Sequence, residues 1–197
     1  KLKGIRLLGD DSGVGLILGG GGAGNQNILY NAIIEDVLVG HFATGIYVNA
    51  MISTNFINVS AEYNMSEGIY FSQETPNTNN TFTNCRFRQN TIGMNIMSLM
   101  VSTFIGCVIE SNKHQGILIS GSTTNTTAGL NFIDCWLENN GHTPIVGRES
   151  LACALWLDFS VSVGTIYSHN IEFNKCVFSS PTGIKDIHAQ RAMKVYF

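Results

Sequence analysis

The chain has 197 residues, of which 44% are hydrophobic and only 13% are charged, and its formal net charge is −3. The charged fraction is about half of that usual for a soluble globular domain, and the negative net charge offers no basic surface to a nucleic acid. No apolar run approaches the roughly 18 to 20 residues that span a bilayer. We therefore expect neither a nucleic-acid partner nor membrane insertion.

The first third of the chain has the pattern of β-strands. Apolar side chains alternate in residues 4–7, 15–18 and 33–39, which indicates strands, and no long segment has helical periodicity. The glycine-rich residues 19–24 lack the GxxxxGK[ST] pattern of a phosphate-binding loop and are interpreted as a flexible loop. Because there is no initial Met and no signal-peptide pattern, we expect a fragment of a longer chain.

An internal repeat follows and is the strongest signal in the sequence. A glycine followed by alternating apolar residues recurs at intervals of 23, 25 and 23 residues. Between these glycines lies a Phe-x-x-Cys or Phe-x-x-Val element, and an asparagine follows five positions after its Cys or Val. The glycines are Gly45, Gly68, Gly93 and Gly116; the phenylalanines are Phe56, Phe82, Phe104, Phe132 and Phe173; the asparagines are Asn64, Asn90, Asn112 and Asn140, with Pro181 in the last repeat.

This repeat predicts an all-β solenoid of about seven or eight coils. A single coil cannot bury its own apolar face, so coils stack, and their strands pair in parallel at a spacing of ~4.8 Å. The phenylalanines and cysteines would form ladders inside. The asparagines would turn the chain in the left-handed conformation that Asn tolerates, and the glycines would lie where the backbone turns tightly into the next strand.

Four of the five cysteines share one repeat position, which indicates small buried apolar residues. A disulfide framework is not expected, because the chain is not a small domain short of core. No CxxC or CxxH pair is present, and the five histidines form no HxxxH or HxH set. We expect no metal site and no cofactor. The four are Cys85, Cys107, Cys135 and Cys176.

Residues 80–90 (Asn-Thr-Phe-Thr-Asn-Cys-Arg-Phe-Arg-Gln-Asn) and 93–96 (Gly-Met-Asn-Ile) resemble coils of the pectate-lyase-like superfamily of single-stranded right-handed parallel β-helices. The resemblance covers about residues 33–183 and is greatest to phage tailspikes and polysaccharide depolymerases. It implies one right-handed parallel β-helix over residues 1–197. Within it we expect irregular coils in 1–32, regular coils in 33–140, an insertion in 141–153 and final coils in 154–197.

The strand that follows the cysteine ladder carries the candidate site. If Cys107 and Ile109 face inwards, Val108 and Glu110 face outwards. The same offset in the other coils predicts a column of charged side chains on one outer face. This charged column consists of Glu62, Arg88, Glu110 and Glu138.

Paired carboxylates in this column suit glycoside hydrolysis. Retaining glycosidases hold their two carboxylates ~5–5.5 Å apart, and inverting enzymes hold them ~6.5–9.5 Å apart. Glu110 and Glu138, on adjacent coils, approach the first separation. Glu62 and Glu110, two coils apart, approach the second. These three glutamates are the predicted catalytic residues.

Three further residues are predicted to bind substrate. Arg88, between Glu62 and Glu110, suits an anionic sugar or else neutralises both acids. Trp136 offers a ring on which a sugar can stack, and Arg86 is predicted to be its neighbour. The competing interpretation is that the charged column is a solvated face or a subunit interface.

Two classes of function remain open on the sequence. The first is a tailspike-type domain of a virion, or an extracellular protein, that binds and hydrolyses bacterial capsule or O-antigen as a glycoside hydrolase or lyase. The second is a non-catalytic structural or adhesive β-helix. Outward apolar residues such as Tyr47, Tyr70 and Val108 favour side-by-side packing, so we expect a homotrimer.

Overall fold

The computed structural model describes residues 1–20, 27–72, 77–120, 127–143, 152–158, 170–182, 184–190 and 194–196. These residues contain twenty-two β-strands and no helix. In chain order the strands are β1 (Leu2–Leu8), β2 (Val14–Leu18), β3 (Leu29–Tyr30), β4 (Ile33–Gly40), β5 (Thr44–Val48), β6 (Met51–Ile52), β7 (Asn55–Ile57), β8 (Ser60–Glu62), β9 (Glu67–Phe71), β10 (Thr81–Thr83), β11 (Arg86–Arg88), β12 (Ile92–Ile96), β13 (Met100–Ile105), β14 (Val108–Glu110), β15 (Gln115–Ser120), β16 (Ala128–Ile133), β17 (Trp136–Glu138), β18 (Cys153–Asp158), β19 (Asn170–Asn174), β20 (Val177–Ser179), β21 (Lys185–Gln190) and β22 (Lys194–Tyr196).

The strands wind into a parallel β-helix with three faces, which confirms the predicted fold. One regular coil consists of β9, β10 and β11, and each strand pairs in parallel with its counterparts in the neighbouring coils. The first face is the seven-stranded sheet β2-β5-β9-β12-β15-β18-β21. The second face runs from β4 through β7, β10, β13, β16 and β19 to β22, and the third from β4 through β8, β11, β14 and β17 to β20. The long strand β4 joins these two faces at a corner, because its two halves pair with β7 and β8.

The interior is a stack of aromatic rings, as the repeat predicted. Five phenylalanines of the second face lie one above another, with neighbouring ring centroids 4.4–4.6 Å apart and ring planes within 16° of parallel. All five are buried. The stacking of each pair stabilises the core beyond the contribution of the apolar area that the rings bury. They are Phe56, Phe82, Phe104, Phe132 and Phe173.

The cysteine ladder lies beside these rings, and all five cysteines are free thiols. Each ladder thiol donates to the carbonyl oxygen of the phenylalanine one coil earlier, as from Cys107 Sγ to Phe82 O at 3.5 Å. A side-chain hydrogen bond with Cys107, partly opposed by Cys176, together with burial raises the pKa of the Cys135 thiol to about 12. The ladder cysteines are therefore packing residues, as predicted.

The asparagine ladder is present, but its members do not themselves adopt the left-handed conformation. The left-handed residue is the one that precedes each asparagine, such as Gln89 before Asn90, with φ 56°. Asn90 uses its backbone N–H and Nδ2 to donate to Asn112 Oδ1, at 3.0 and 3.3 Å. The ladder asparagines are buried, so they supply the hydrogen bonds that these corners would otherwise lack.

The prediction that the repeat glycines make tight turns was wrong. Gly45, Gly68, Gly93 and Gly116 lie inside strands of the first face. A Cβ atom on Gly93 would lie 2.5 Å from the Gly116 carbonyl oxygen and 2.7 Å from Asn112 Nδ2. Glycine is required because the neighbouring coil and its asparagine approach too closely for a side chain.

The flanking segments fit the same architecture. The three N-terminal alternating segments form β1, β2 and β4, and the sequence after 183 forms β21, which pairs with β18. Residues 21–24 of the glycine-rich stretch 19–24 lie outside the described residues. So do residues 144–151 of the predicted insertion 141–153, whereas Cys153 already pairs with Gln115.

Candidate functional site

The charged column forms on the third face, at the end of successive strands. The strand register places Arg88 opposite Glu62 on one side and Glu110 on the other. Glu138 follows opposite Glu110, and Ser179 follows Glu138. The sequence therefore located this column correctly, whereas the catalytic and binding roles of its members stay predictions.

Arg88 ties two of the predicted acids together. Its Nη2 lies 3.0 Å from Glu62 Oε2, and its Nη1 lies 3.7 Å from Glu110 Oε1. The hydrogen bond to Glu62 raises the pKa of Arg88, and the Glu62 side chain is only 8% exposed. The guanidinium thus lies between Glu62 and Glu110, which is where an inverting glycosidase would place its attacking water.

Glu110 and Glu138 face each other without a cation between them in the register. Among the described residues, Glu138 forms no ion pair. It accepts a hydrogen bond at 2.9 Å from Trp136 Nε1, which fixes the indole beside the carboxylate. The Trp136 side chain remains 46% exposed, so the ring can contact a ligand.

The prediction that Arg86 neighbours Trp136 was wrong. Arg86 pairs with Val108, and Val108 pairs with Trp136. The two residues are therefore two coils apart, with an apolar side chain between them. Arg86 is exposed on the same face but does not flank the indole.

A second column of side chains borders the charged column and was missed by the sequence reasoning. It is formed by the left-handed residue at the same corner of six successive coils, with φ between 52° and 68°. Backbone hydrogen bonds hold these corners in line, such as Tyr63 N–H to Arg88 O at 3.2 Å. The column crosses five coil spacings, or roughly 24 Å. We call it the turn column: Asp11, His41, Tyr63, Gln89, Ser111 and Asn139.

The turn column forms the floor of a long open groove. One recess of about 530 Å³ includes all six of its residues together with Asn64, Met65, Lys113 and His142. A second recess, of about 410 Å³, shares Ser111 and Asn139 with the first and continues past Glu138 to residues 179–181. Of the charged column, Glu138 lines the second recess, and the column runs alongside the groove because each of its members directly precedes a turn-column residue.

An aromatic platform lies towards one end of this turn groove. The rings of His41 and Tyr63 are parallel within 2°, with centroids 5.5 Å apart. Asp11 Oδ1 lies 3.4 Å from His41 Nδ1. Tyr63 is 44% exposed, and a bulky residue in the left-handed region is a strained outlier of the kind that clusters at binding sites.

The other end of the turn groove is polar. Asn139 Nδ2 donates to Ser111 Oγ at 3.2 Å, and Gln89 is exposed between these residues and Tyr63. Hydroxyl and amide groups both donate and accept hydrogen bonds. The sequence signal for four members of this column is their position directly before a ladder asparagine, whereas Asp11 and His41 precede Ser12 and Phe42.

Comparison with family models matches residues 10–133 to the right-handed β-helix region family. The chain belongs to this family. The handedness that the resemblance implied is thereby confirmed. No curated protein sequence matches the chain.

Two solved structures are similar to this right-handed β-helix. One is a variant of the periplasmic alginate epimerase AlgG, with 11% identity, a TM-score of 0.48, and coverage of 82% of this chain and 42% of that one. The other is a variant catalytic domain of a GH87 α-1,3-glucanase in complex with tetrasaccharides, with 12% identity, a TM-score of 0.24, and coverage of 85% and 49%. The chain thus spans less than half the length of either structure.

Among the described residues, no group of three or more His, Cys, Asp or Glu side chains is arranged to hold a metal ion. That part of the chain also contains no helix long and apolar enough to cross a membrane.

Proposed function

We propose that this right-handed β-helix binds a polysaccharide along the turn groove. The observation that carries the proposal is the groove itself, which repeats one side chain per coil over six coils and stays open along its length. A coil spacing of ~4.8 Å is comparable with the length of one sugar unit in a linear glycan. Successive sugars can therefore meet equivalent positions of successive coils.

The chemistry of the groove suits sugars. A sugar ring has an apolar face, for which the exposed Tyr63 ring is a platform, and a rim of hydroxyl groups, which pair with amide and hydroxyl side chains. Gln89, Ser111 and Asn139 supply such groups next to that platform.

For the source of the glycan we propose bacterial capsule or O-antigen, with the chain acting as a tailspike-type domain of a virion or another extracellular protein. We further propose a homotrimer. Tyr47 and Tyr70 support side-by-side packing, because their rings lie 5.3 Å apart on the outer side of the first face and a closed threefold assembly covers such a surface.

Hydrolysis of the bound glycan is a second step of the proposal, and the pairing of Glu110 with Glu138 favours it. Their backbones are one coil apart, which is close to the ~5–5.5 Å carboxylate separation of retaining glycosidases. In that mechanism one carboxylate attacks the anomeric carbon while the other protonates the departing oxygen. Water then hydrolyses the glycosyl–enzyme bond. Glu62 is better suited to holding Arg88, because it is buried against it.

The non-catalytic alternative rests on Arg88. Its single positive charge lies between Glu62 and Glu110 and offsets one of the three negative charges of the charged column, as expected for a structural ladder. A binding domain without hydrolysis would then use only the turn groove.

The experiment that separates these functions is a panel of bacterial capsules and lipopolysaccharides, assayed for binding and for release of reducing ends. Glu110→Gln and Glu138→Gln are compared with Glu172→Gln, an exposed glutamate on the second face. Hydrolysis predicts cleavage that is lost in the first two variants and kept in the third. Binding without cleavage would support the adhesive domain, and absence of binding to every glycan would contradict the proposal.

A further inference from the structure

The Lys113 end of the turn groove carries an unpaired positive charge. Lys113 is exposed, lines the groove and forms no ion pair within the described part of the chain. Thr143 N–H donates to Lys113 O at 2.9 Å, so His142 lies on the adjoining coil directly beside it. His142 Nδ1 lies 3.3 Å from Asn139 O. As a donor to this carbonyl, it leaves Nε2 available for a ligand.

His114 stands next to these two side chains. Burial, together with the nearby Lys113 and His142, lowers the pKa of His114 and so favours its uncharged form. The closest glutamates of the charged column are already engaged, since Glu110 is contacted by Arg88 and Glu138 by Trp136. Among the described residues, neither Lys113 nor His142 lies within ion-pair distance of a carboxylate, and both line the groove.

The opposite end has the reverse character. Asp11 is the one acid that lines the main recess, and it lies four coil spacings away from Ser111, beside His41 and Tyr63. A negatively charged sugar is disfavoured there by like charge and favoured beside Lys113. The groove thus has one end with an aromatic platform and the carboxylate of Asp11, and another end with the ammonium group of Lys113.

We propose that Lys113 and His142 form an anion-binding subsite that takes the carboxylate of an acidic sugar, while the adjoining sugar towards Tyr63 is neutral. The inference rests on the proposed glycan binding and deepens it, because it names the class of glycan as one that carries uronic or sialic acid units. Lys113 contributes an ammonium group, and His142, when its imidazole is protonated, donates from Nε2 to the same carboxylate.

The test uses the whole chain with polyglucuronate and polysialic acid, each beside its carboxyl-reduced form, and with dextran sulfate. Since an exposed ion pair contributes ~0.2–1 kcal/mol, we expect Lys113→Gln to weaken binding of the carboxylated polymers by a factor of roughly 1.4 to 5. Binding of the reduced polymers should not change. The matched control is Lys175→Gln, which removes an exposed lysine at a different corner. Raising the salt from about 0.05 M to about 0.5 M should weaken binding of the carboxylated forms alone.

Equal affinity for the carboxylated and reduced forms would overturn the anion-binding subsite and leave the proposed glycan binding intact. Equal effects of Lys113→Gln and Lys175→Gln would overturn it as well. Tighter binding of dextran sulfate than of either carboxylated polymer would overturn the assignment of a carboxylate and show that the subsite takes a sulfate or phosphate ester instead. Absence of binding to every polymer would overturn the proposed function itself.

Discussion

Asn64 directs two hydrogen bonds at one atom of Asn90. Its backbone N–H and its Nδ2 both donate to Asn90 Oδ1, each at 2.9 Å, inside a buried corner of the helix. Asn90 in turn donates from Nδ2 to the Ala61 carbonyl oxygen at 3.0 Å. One side chain therefore satisfies buried polar groups of the preceding coil that no water reaches.

Replacing Asn90 with alanine should strongly destabilise the fold. The change leaves the backbone N–H and the Nδ2 group of Asn64 without their acceptor, and each buried unsatisfied group costs ~1–3 kcal/mol. We expect the free energy of unfolding in urea to fall by about 2–4 kcal/mol. Asn55→Ala, at an exposed strand position, should change it by no more than ~0.5 kcal/mol. Similar losses in the two variants would show that the ladder bonds contribute little.

Gly93→Ala tests whether coil spacing or turn geometry requires the repeat glycines. A Cβ atom there meets the Gly116 carbonyl oxygen at 2.5 Å, and such overpacking should lower the free energy of unfolding by about 3 kcal/mol. The control is Gly4→Ala, where φ is +67° but no atom lies within 4 Å. It should cost only about 1 kcal/mol, from the left-handed backbone alone. A Gly4 variant as unstable as the Gly93 variant would contradict the close-approach explanation.

The buried carboxylate of Glu62 should depend on Arg88. Breaking a fully buried ion pair costs ~3–5 kcal/mol, and because the Arg88 side chain is 33% exposed we expect Arg88→Met to cost less, about 2 kcal/mol. Adding Glu62→Gln should restore most of this loss, since the carboxylate that then lacks Arg88 is that of Glu110, whose side chain is 29% exposed rather than buried. A double-mutant cycle measured by denaturant unfolding gives the coupling energy. Additive single changes would show that the two side chains act independently.

The repeat predicted the architecture because stacked coils impose the same requirement on the same position. Phe82, Phe104 and Cys107 can be recognised as interior residues from the pattern of a single coil. The recurrence of this pattern in the other coils strengthens the prediction. The charged column followed from the same periodicity, since strands alternate their side chains between the two sides of a sheet. The sequence left two roles open for Arg88, which were to bind an anionic sugar or to neutralise both neighbouring glutamates. In the structure Arg88 contacts Glu62 and Glu110.

Other features depend on atoms that spacing does not reveal. Gly93 marks a position in the repeat, but only the structure identifies the Asn112 amide that excludes a side chain there. The turn column was missed because its members share a backbone conformation rather than a side-chain type, as His41, Tyr63 and Ser111 illustrate. Its side chains point away from the core, so packing does not constrain them to one chemistry.

The central claim is that a glycan lies along the turn groove, and Tyr63→Asn tests it most directly. Asparagine tolerates the left-handed conformation better than tyrosine, so the free energy of unfolding should stay the same or rise while the sugar platform is lost. The measurement is calorimetric titration of the wild type, Tyr63→Asn and Tyr30→Asn, an exposed tyrosine outside the groove, with the bacterial polysaccharide that the wild type binds. We predict a roughly three- to tenfold loss of affinity for Tyr63→Asn alone. An affinity equal to that of the wild type would contradict the claim.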